Sequence, residues 1–155
     1  MQTLKRSILV LLTLTFALVA TGCGPSAEEV YFNNLNTAVT EYNDAMNAVA
    51  AQFEGRDASI LTDQDWKDVT FAALDRLDAA GQVLASTPAD QVPEKWVNLD
   101  NILVQVSEQT TVFTTTMKDA LDAGDGDAMI ASLDELQVVI TLMQQAGDEI
   151  NKVAP

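Results

Sequence analysis

Apolar residues recur in steps of three and four along most of this chain, and this spacing limits the fold more than any other feature of the sequence. The pattern covers residues 27–54, 63–85, 93–123 and 127–153. Steps of three and four return to one face of an α-helix, so each segment predicts an amphipathic helix with a single apolar stripe. Strictly alternating runs, which would predict strands, are rare.

Each predicted helix carries its own apolar stripe. The first two stripes are Phe32, Leu35, Val39, Tyr42, Met46, Val49 and Phe53, and Trp66, Val69, Ala73, Leu77, Ala80 and Leu84. The last two are Val92, Trp96, Leu99, Leu103, Val106, Thr110, Phe113, Met117 and Ala120, and Met129, Leu133, Leu136, Ile140, Met143, Gly147 and Ile150.

Short links between the segments favour antiparallel neighbours, and a seven-residue repeat favours packing at about 20°. The sequence therefore predicts an all-α fold, an antiparallel up-down-up-down four-helix bundle. The alternative is a dimer of long helical hairpins, in which the stripes would face a second copy.

Polar residues mark the predicted helix ends. Ser26 and Glu29 have the spacing of a capping box, and Gly55 suits the position just past a helix C-terminus. Gly81 weakens the middle of the second helix, because glycine is a poor helix former. Two candidate caps occur at each of two further helix starts. They are Thr62 or Asp63 for the second helix and Asp125 or Asp127 for the fourth.

The N-terminal residues have the three parts of an export signal. Lys5 and Arg6 supply positive charge, and an apolar run follows from Ile8 to Ala20. That run is shorter than the roughly 20 residues needed to span a bilayer. The small residues Thr21 and Gly22 then precede Cys23, the single cysteine of the chain, so no disulfide can form within it.

The segment Ala20-Thr21-Gly22-Cys23 resembles the lipobox of bacterial lipoprotein signal peptides. In that class the first position is an apolar residue, usually Leu, the second is Ala, Ser or Thr, the third is Gly or Ala, and the fourth is cysteine. Ala20 departs from the usual Leu at the first position. The resemblance covers only the first 23 residues. It implies that residues 1–22 are a removable signal peptide and that lipid is attached at Cys23, with diacylglycerol on sulfur and a further acyl chain such as palmitate on the new amino group.

This resemblance divides the chain into a signal peptide (1–22), a lipidated cysteine with a short tether (23–26) and a four-helix domain (27–155). Two or three acyl chains hold a protein firmly on a bilayer. Because Gly24 follows the cysteine, the resemblance implies outer-membrane sorting in an organism with two membranes. With one membrane, it implies the outer face of the cell membrane. We expect membrane lipid, reached through acylated Cys23, and a protein of the cell envelope as partners.

Charge excludes one class of partner. The chain has 23 acidic and eight basic residues, and two of the basic ones, Lys5 and Arg6, lie in the leader. Six basic residues then remain against 23 acidic ones, a formal charge of −17. Nucleic acids are bound chiefly through neutralised phosphates, so we expect no nucleic-acid partner.

The residue types also limit the chemistry. Without histidine the chain cannot form a Ser-His-Asp set or a Glu-x-x-His metal site. Cys-x-x-Cys-His and glycine-rich phosphate loops are missing as well. We therefore expect no enzyme activity, no cofactor and no metal. Methionines 46, 117, 129 and 143 fall on the stripes, where filling gaps in the core is a better interpretation than Cu(I) binding.

Two groups of side chains remain as candidate binding features. Acidic residues converge on the two links that an up-down bundle places farthest from its N-terminus, and they predict either helix caps or a weak cation site. Counting from Asp122, an EF-hand fails at Gly124, Gly126 and Leu133. Trp66 and Trp96 are interpreted as seals at the bundle ends, with ligand platforms as the alternative. The acidic residues are Asp119, Asp122, Asp125 and Asp127, with Glu54, Asp57, Asp63, Asp65 and Asp68.

These features favour a membrane-anchored, extracytoplasmic, non-catalytic helical bundle that acts by contact, as an envelope adaptor or accessory protein. Its distal end, which is free of the bilayer, is the expected functional face. The alternative is a small-molecule or cation-binding module that uses the acidic tip or an inter-helix pocket. Such a pocket would be lined by Tyr42, Thr110 and Trp96. The other interpretation of Thr110 is a hydroxyl bonded to the backbone one turn back.

Overall fold

Four long α-helices make up most of the structure, a computed structural model that describes residues 25–55 and 58–153. They are α1 (Ala27–Phe53), α2 (Gln64–Leu84), α3 (Val97–Ala123) and α4 (Gly126–Val153). Short 3₁₀ turns occupy Ala58–Thr62, Ala89–Gln91 and Glu94–Trp96, and these described ranges contain no strand. The all-α prediction is confirmed. The predicted leader, Cys23 and Asp57 lie outside the described residues.

The predicted caps hold the helix starts. Ser26 Oγ accepts from the Glu29 backbone N–H at 3.2 Å, while the Glu29 carboxylate accepts from the Ser26 N–H at 2.7 Å, which completes the capping box. Asp63, rather than Thr62, caps α2 by accepting from the Trp66 N–H at 3.0 Å. Gly55 follows α1 with φ +70°, the left-handed conformation that glycine adopts without strain.

Helices that follow one another in the chain pack side by side in the order α1, α2, α3, α4, and the most extensive contact is between α3 and α4. Two links meet at one end of the bundle, because a Cβ on Gly126 would lie 3.8 Å from Leu61 Cδ1. At the opposite end, the start of α1 contacts Trp96 through Phe32, with ring centroids 4.4 Å apart. The up-down-up-down arrangement of the prediction is therefore confirmed.

The predicted stripe of α3 is the centre of the core. Its residues from Trp96 to Ala120 are all buried, and Thr110 is as inaccessible as Val106. Thr110 Oγ1 donates to the Val106 carbonyl at 2.7 Å, and Thr114 donates in the same way to Thr111. The threonines therefore satisfy their hydroxyls inside a helix that packing, not propensity, holds together.

Three predicted stripes were partly wrong. In α1, Phe32, Met46 and Phe53 are half-buried, and Tyr31, Ala38 and Ala45 are buried instead. Val69 is 55% exposed, and Thr70 is buried instead, with its hydroxyl bonded to the Trp66 carbonyl. In α4 the predicted Gly147 and Ile150 are buried, but the other predicted residues are half-buried, and Ser132, Val139 and Ala146 are buried instead. The close approach of α4 to α3 requires small side chains at the contact, so larger residues lie to either side of it.

Gly81 does not interrupt α2, contrary to the weakness that its helix propensity predicted. A Cβ at this position would lie 3.2 Å from Thr110 Cγ2. The glycine therefore allows α2 to approach the middle of α3. None of the helices described is long and apolar enough to cross a membrane.

Candidate functional site

The tip, defined as the bundle end formed by the 54–63 and 124–125 links, carries the predicted acidic group. Two carboxylates of the tip cap helices. Asp63 caps α2, and Asp125 accepts from the backbone N–H groups of Asp127 and Ala128 at 3.0 and 2.9 Å. Asp125 rather than Asp127 is thus the cap of α4.

The remaining acidic residues of the tip do not converge. Within 25–55 and 58–153, no three or more Asp, Glu, His or Cys side chains are grouped closely enough to hold a metal ion. Asp119 and Asp122 are exposed on the last turns of α3, and Asp65 and Asp68 are exposed on the first turns of α2. The structure therefore does not assemble the predicted acidic group into one site.

Trp66 seals the tip rather than forming a ligand platform. Its side chain is buried, and the indole Nε1–H donates to the Gln52 carbonyl at 2.9 Å. The Phe53 ring meets the indole edge to face, with centroids 5.6 Å apart. Both the polar and the apolar part of this indole are thus occupied by α1.

Trp96 performs the same role at the base, the bundle end that contains the start of α1 and the end of α4. It is 1% exposed, and its Nε1–H donates to Glu28 Oε1 at 3.1 Å. Lys95 forms an ion pair with Glu28 and lies 5.4 Å from the centre of the indole ring. The hydrogen bond from Lys95 lowers the pKa of the Glu28 carboxyl, more than its slight burial raises it.

The predicted pocket of Tyr42, Thr110 and Trp96 does not exist as one site. The oxygens of Tyr42 and Thr110 are 2.7 Å apart and both side chains are buried, so they occupy the space between the helices. Trp96 lies 14 residues before Thr110, about 20 Å along the helix axis at 1.5 Å per residue. Burial raises the pKa of Tyr42 to about 12, although the bond to Thr110 acts in the opposite direction.

One polar pair near the base was missed from the sequence. Tyr31 is 3% exposed, and its hydroxyl has no hydrogen-bond partner among the residues described. Burial raises the pKa of Tyr31, and the charge of Asp100 raises it further. Asp100 is itself half-buried, and burial raises the pKa of its carboxyl above 3.8.

The sequence signal for this pair was weak. Tyr31 precedes Phe32, which fits the apolar stripe equally well, and Asp100 follows Leu99 as an ordinary polar residue would. Only the orientation of α1 against α3 turns Tyr31, rather than Phe32, fully into the core.

No protein family, curated protein or solved structure compared with this chain matches it.

Proposed function

We propose that the chain is a membrane-anchored extracytoplasmic lipoprotein whose non-catalytic helical bundle works by contact, as an adaptor or accessory protein of the cell envelope. The observation that carries this proposal is the filled interior of the bundle. Tryptophans close both ends, and Tyr42 and Thr110 bond to each other at the centre. The outer surface is then the part of the domain that is available to a partner.

The anchor follows from the N-terminal sequence. In the described part of the chain α1 begins at Ala27, four residues after Cys23. At about 3.5 Å per residue, such a tether keeps the base within roughly 10–20 Å of the lipid. With lipid on Cys23, the base faces the membrane and the tip faces away from it. The bundle would lie at the outer membrane of a cell with two membranes, or on the outer face of the cell membrane where there is only one.

Mass spectrometry of the protein purified from its native membranes tests the anchor. The expected product starts at Cys23 and carries diacylglycerol, and labelled palmitate enters the wild-type protein but not a Cys23→Ser variant. An uncut and unmodified N-terminus would disprove the lipoprotein assignment.

Cross-linking in intact membranes tests action by contact. A photoreactive side chain at Ile130, which is 68% exposed near the tip, is expected to capture an envelope protein. The same group at Val97, exposed near the base, is the matched control. Capture only from the base would contradict a functional tip, and recovery of no partner from either position would count against an adaptor.

A binding module is the second candidate. Two observations favour it: the buried Tyr31 hydroxyl has no hydrogen-bond partner among the described residues, and the charge of Asp100 acts on that hydroxyl. A small cation could interact with both groups, because ammonium donates hydrogen bonds to a phenol oxygen and a carboxylate, while Ca²⁺ coordinates such oxygen atoms directly. Thermal unfolding with millimolar ammonium or Ca²⁺ tests this site. A stabilisation lost in Tyr31→Phe and Asp100→Asn would support binding, and an unchanged unfolding temperature with both cations would exclude it.

A further inference from the structure

One line along α1 carries no charge. It contains Phe32, Asn36, Val39, Asn43, Met46 and Ala50, which are separated by alternating steps of four and three and therefore share a face. Phe32 and Met46 are half-buried and Asn36 is exposed, so this face lies at the edge of the core. Glu41 and Asp44, the acidic residues of this part of α1, fall outside the line.

A matching line runs along α4 through Leu133, Gln137, Ile140, Gln144 and Gly147. No charged residue occurs anywhere between Leu136 and Gly147. Leu133 and Ile140 are half-buried, and both glutamines are exposed. In a domain with 23 acidic residues, two neighbouring uncharged lines of this length are a distinct surface feature.

The two lines border the same seam. Glu135 and Glu149 mark the side of α4 that faces α3, because they accept hydrogen bonds from Gln109 and Asn98. Leu133 and Ile140 lie on the other side of the buried line of α4, and the up-down-up-down order of the helices places α1 on that side. Contact between the first and fourth helices is much less extensive than contact within the three consecutive pairs. We call this seam, with the two lines along it, the neutral face.

The polar groups of the neutral face are unengaged. The side-chain amides of Asn36, Asn43, Gln137 and Gln144 make no hydrogen bond within the described part of the chain. An amide both donates and accepts, so it can pair with another amide, whereas a carboxylate repels its own copy. Half-buried apolar side chains between unbonded amides have the composition of an interface from which charge is depleted.

We propose that a second copy of this chain docks on the neutral face. In a two-fold dimer the same patch of each copy meets the other, so an acidic face would bring like charges together. The surfaces of α2 and α3 carry Asp75, Asp78 and Glu108, and the tip carries a further group of aspartates. The neutral face is the surface on which two such acidic molecules meet without that repulsion.

The arrangement is also compatible with attachment to one membrane, although the inference does not depend on lipid at Cys23. A two-fold axis parallel to the helices places α1 of one copy beside α4 of its partner. Both bases then lie at the same end of the dimer. Each neutral face would cover the half-buried apolar residues of the other.

Sedimentation of the purified full-length chain in a density-matched detergent tests the proposal. We expect a concentration-dependent dimer in the micromolar range. The double variant Gln137→Glu/Gln144→Glu adds charge without changing side-chain size at two exposed positions. Each new carboxylate would then lie against the uncharged line of the partner's α1 with no positive charge to pair with, so the double variant is expected to weaken the dimer at least about tenfold.

The matched control is Gln105→Glu/Gln145→Glu, which adds the same two charges at exposed positions off the neutral face. It should dimerise as the wild type does, and circular dichroism should show equal helix content for both variants. A monomer at all concentrations, or equal weakening by the two variants, would overturn the proposal. If the chain forms this dimer but Cys23 carries no lipid, the dimer proposal is supported and the proposed lipid anchor is disproved.

Discussion

The phenol oxygen of Tyr42 lies 2.7 Å from the hydroxyl oxygen of Thr110, although the two residues are 68 positions apart in the chain. The bond joins α1 to α3 across the interior of the bundle. Both side chains are at most 1% exposed, so water does not compete for it.

Tyr42→Phe should therefore destabilise the fold. Thr110 Oγ1 keeps its bond to the Val106 carbonyl, so the loss is that of one hydrogen bond rather than of an orphaned group, about 1 kcal/mol in the free energy of unfolding. Urea denaturation followed by circular dichroism measures it. An unchanged unfolding midpoint would show that the bond contributes nothing.

Tyr31→Phe should have the opposite effect. The Tyr31 hydroxyl is buried without a partner among the described residues, and a buried polar group left unpaired costs about 1–3 kcal/mol. Its removal is expected to raise the free energy of unfolding by about 1 kcal/mol. The two tyrosine variants delete the same atom, so the sign of their difference is the informative result. Equal losses would mean that Tyr31 has a partner in solution.

Gly81→Ala should destabilise the fold although alanine is the better helix former by about 1 kcal/mol. The new Cβ would lie 3.2 Å from Thr110 Cγ2, and Thr110 cannot move without losing its bonds to Tyr42 and Val106. Overpacking of this kind costs about 1–3 kcal/mol. In a Thr110→Ser background, which lacks Cγ2 but keeps Cβ at 3.3 Å from the new atom, the same substitution should cost less without becoming neutral. An equal cost in both backgrounds would rule out the Cγ2 contact as the cause.

Asp100→Asn should stabilise the protein at neutral pH. Burial raises the pKa of this carboxyl in the folded state, so the charged form is disfavoured by folding. The stability of the wild type is therefore reduced as the pH rises from 3.8 through the raised pKa, and it stays reduced above that range. The gain from Asp100→Asn should shrink as the pH falls through this window. A gain that did not change with pH would indicate packing rather than charge.

Asp125→Ala should cost about 1 kcal/mol, because the side chain caps α4 through two backbone N–H groups. Asp122→Ala alters an exposed neighbour whose side chain makes no hydrogen bond to any residue that the structure describes, and it should change stability by less than about 0.5 kcal/mol. Chemical denaturation of the two variants distinguishes capping from a general effect of charge at the tip. Equal changes in the free energy of unfolding for the two variants would indicate a general effect of charge at the tip.

The sequence predicted the helices and their ends well, because those depend on local signals. Ser26 was predicted from the spacing of its capping box, and the structure confirms it. Spacing left two candidate caps each for α2 and α4, and the structure selects Asp63 and Asp125. The stripe of α3 was also predicted correctly, since α3 is enclosed by neighbours and its most apolar face is its most buried one.

The predicted and observed burial differ at positions where contacts between helices determine which side chain is buried. Hydrophobicity favoured Val69 over Thr70, yet Thr70 satisfies its hydroxyl within the helix and can be buried. On α4 it favoured the large residues, while close packing against α3 selects Ser132 and Ala146. The pocket lined by Trp96 is a different case, because Trp96 and Thr110 are 14 residues apart on one predicted helix and their axial separation of about 20 Å already followed from the sequence.

The two indoles give the domain a built-in pair of optical reporters. Trp66 is fastened to the backbone of α1 near the tip, and Trp96 is fastened to the side chain of Glu28 near the base. With one indole replaced by phenylalanine, the emission of the other follows a single end of the molecule. Fraying that begins at one extremity would then be seen as a change in one fluorophore well before the other responds.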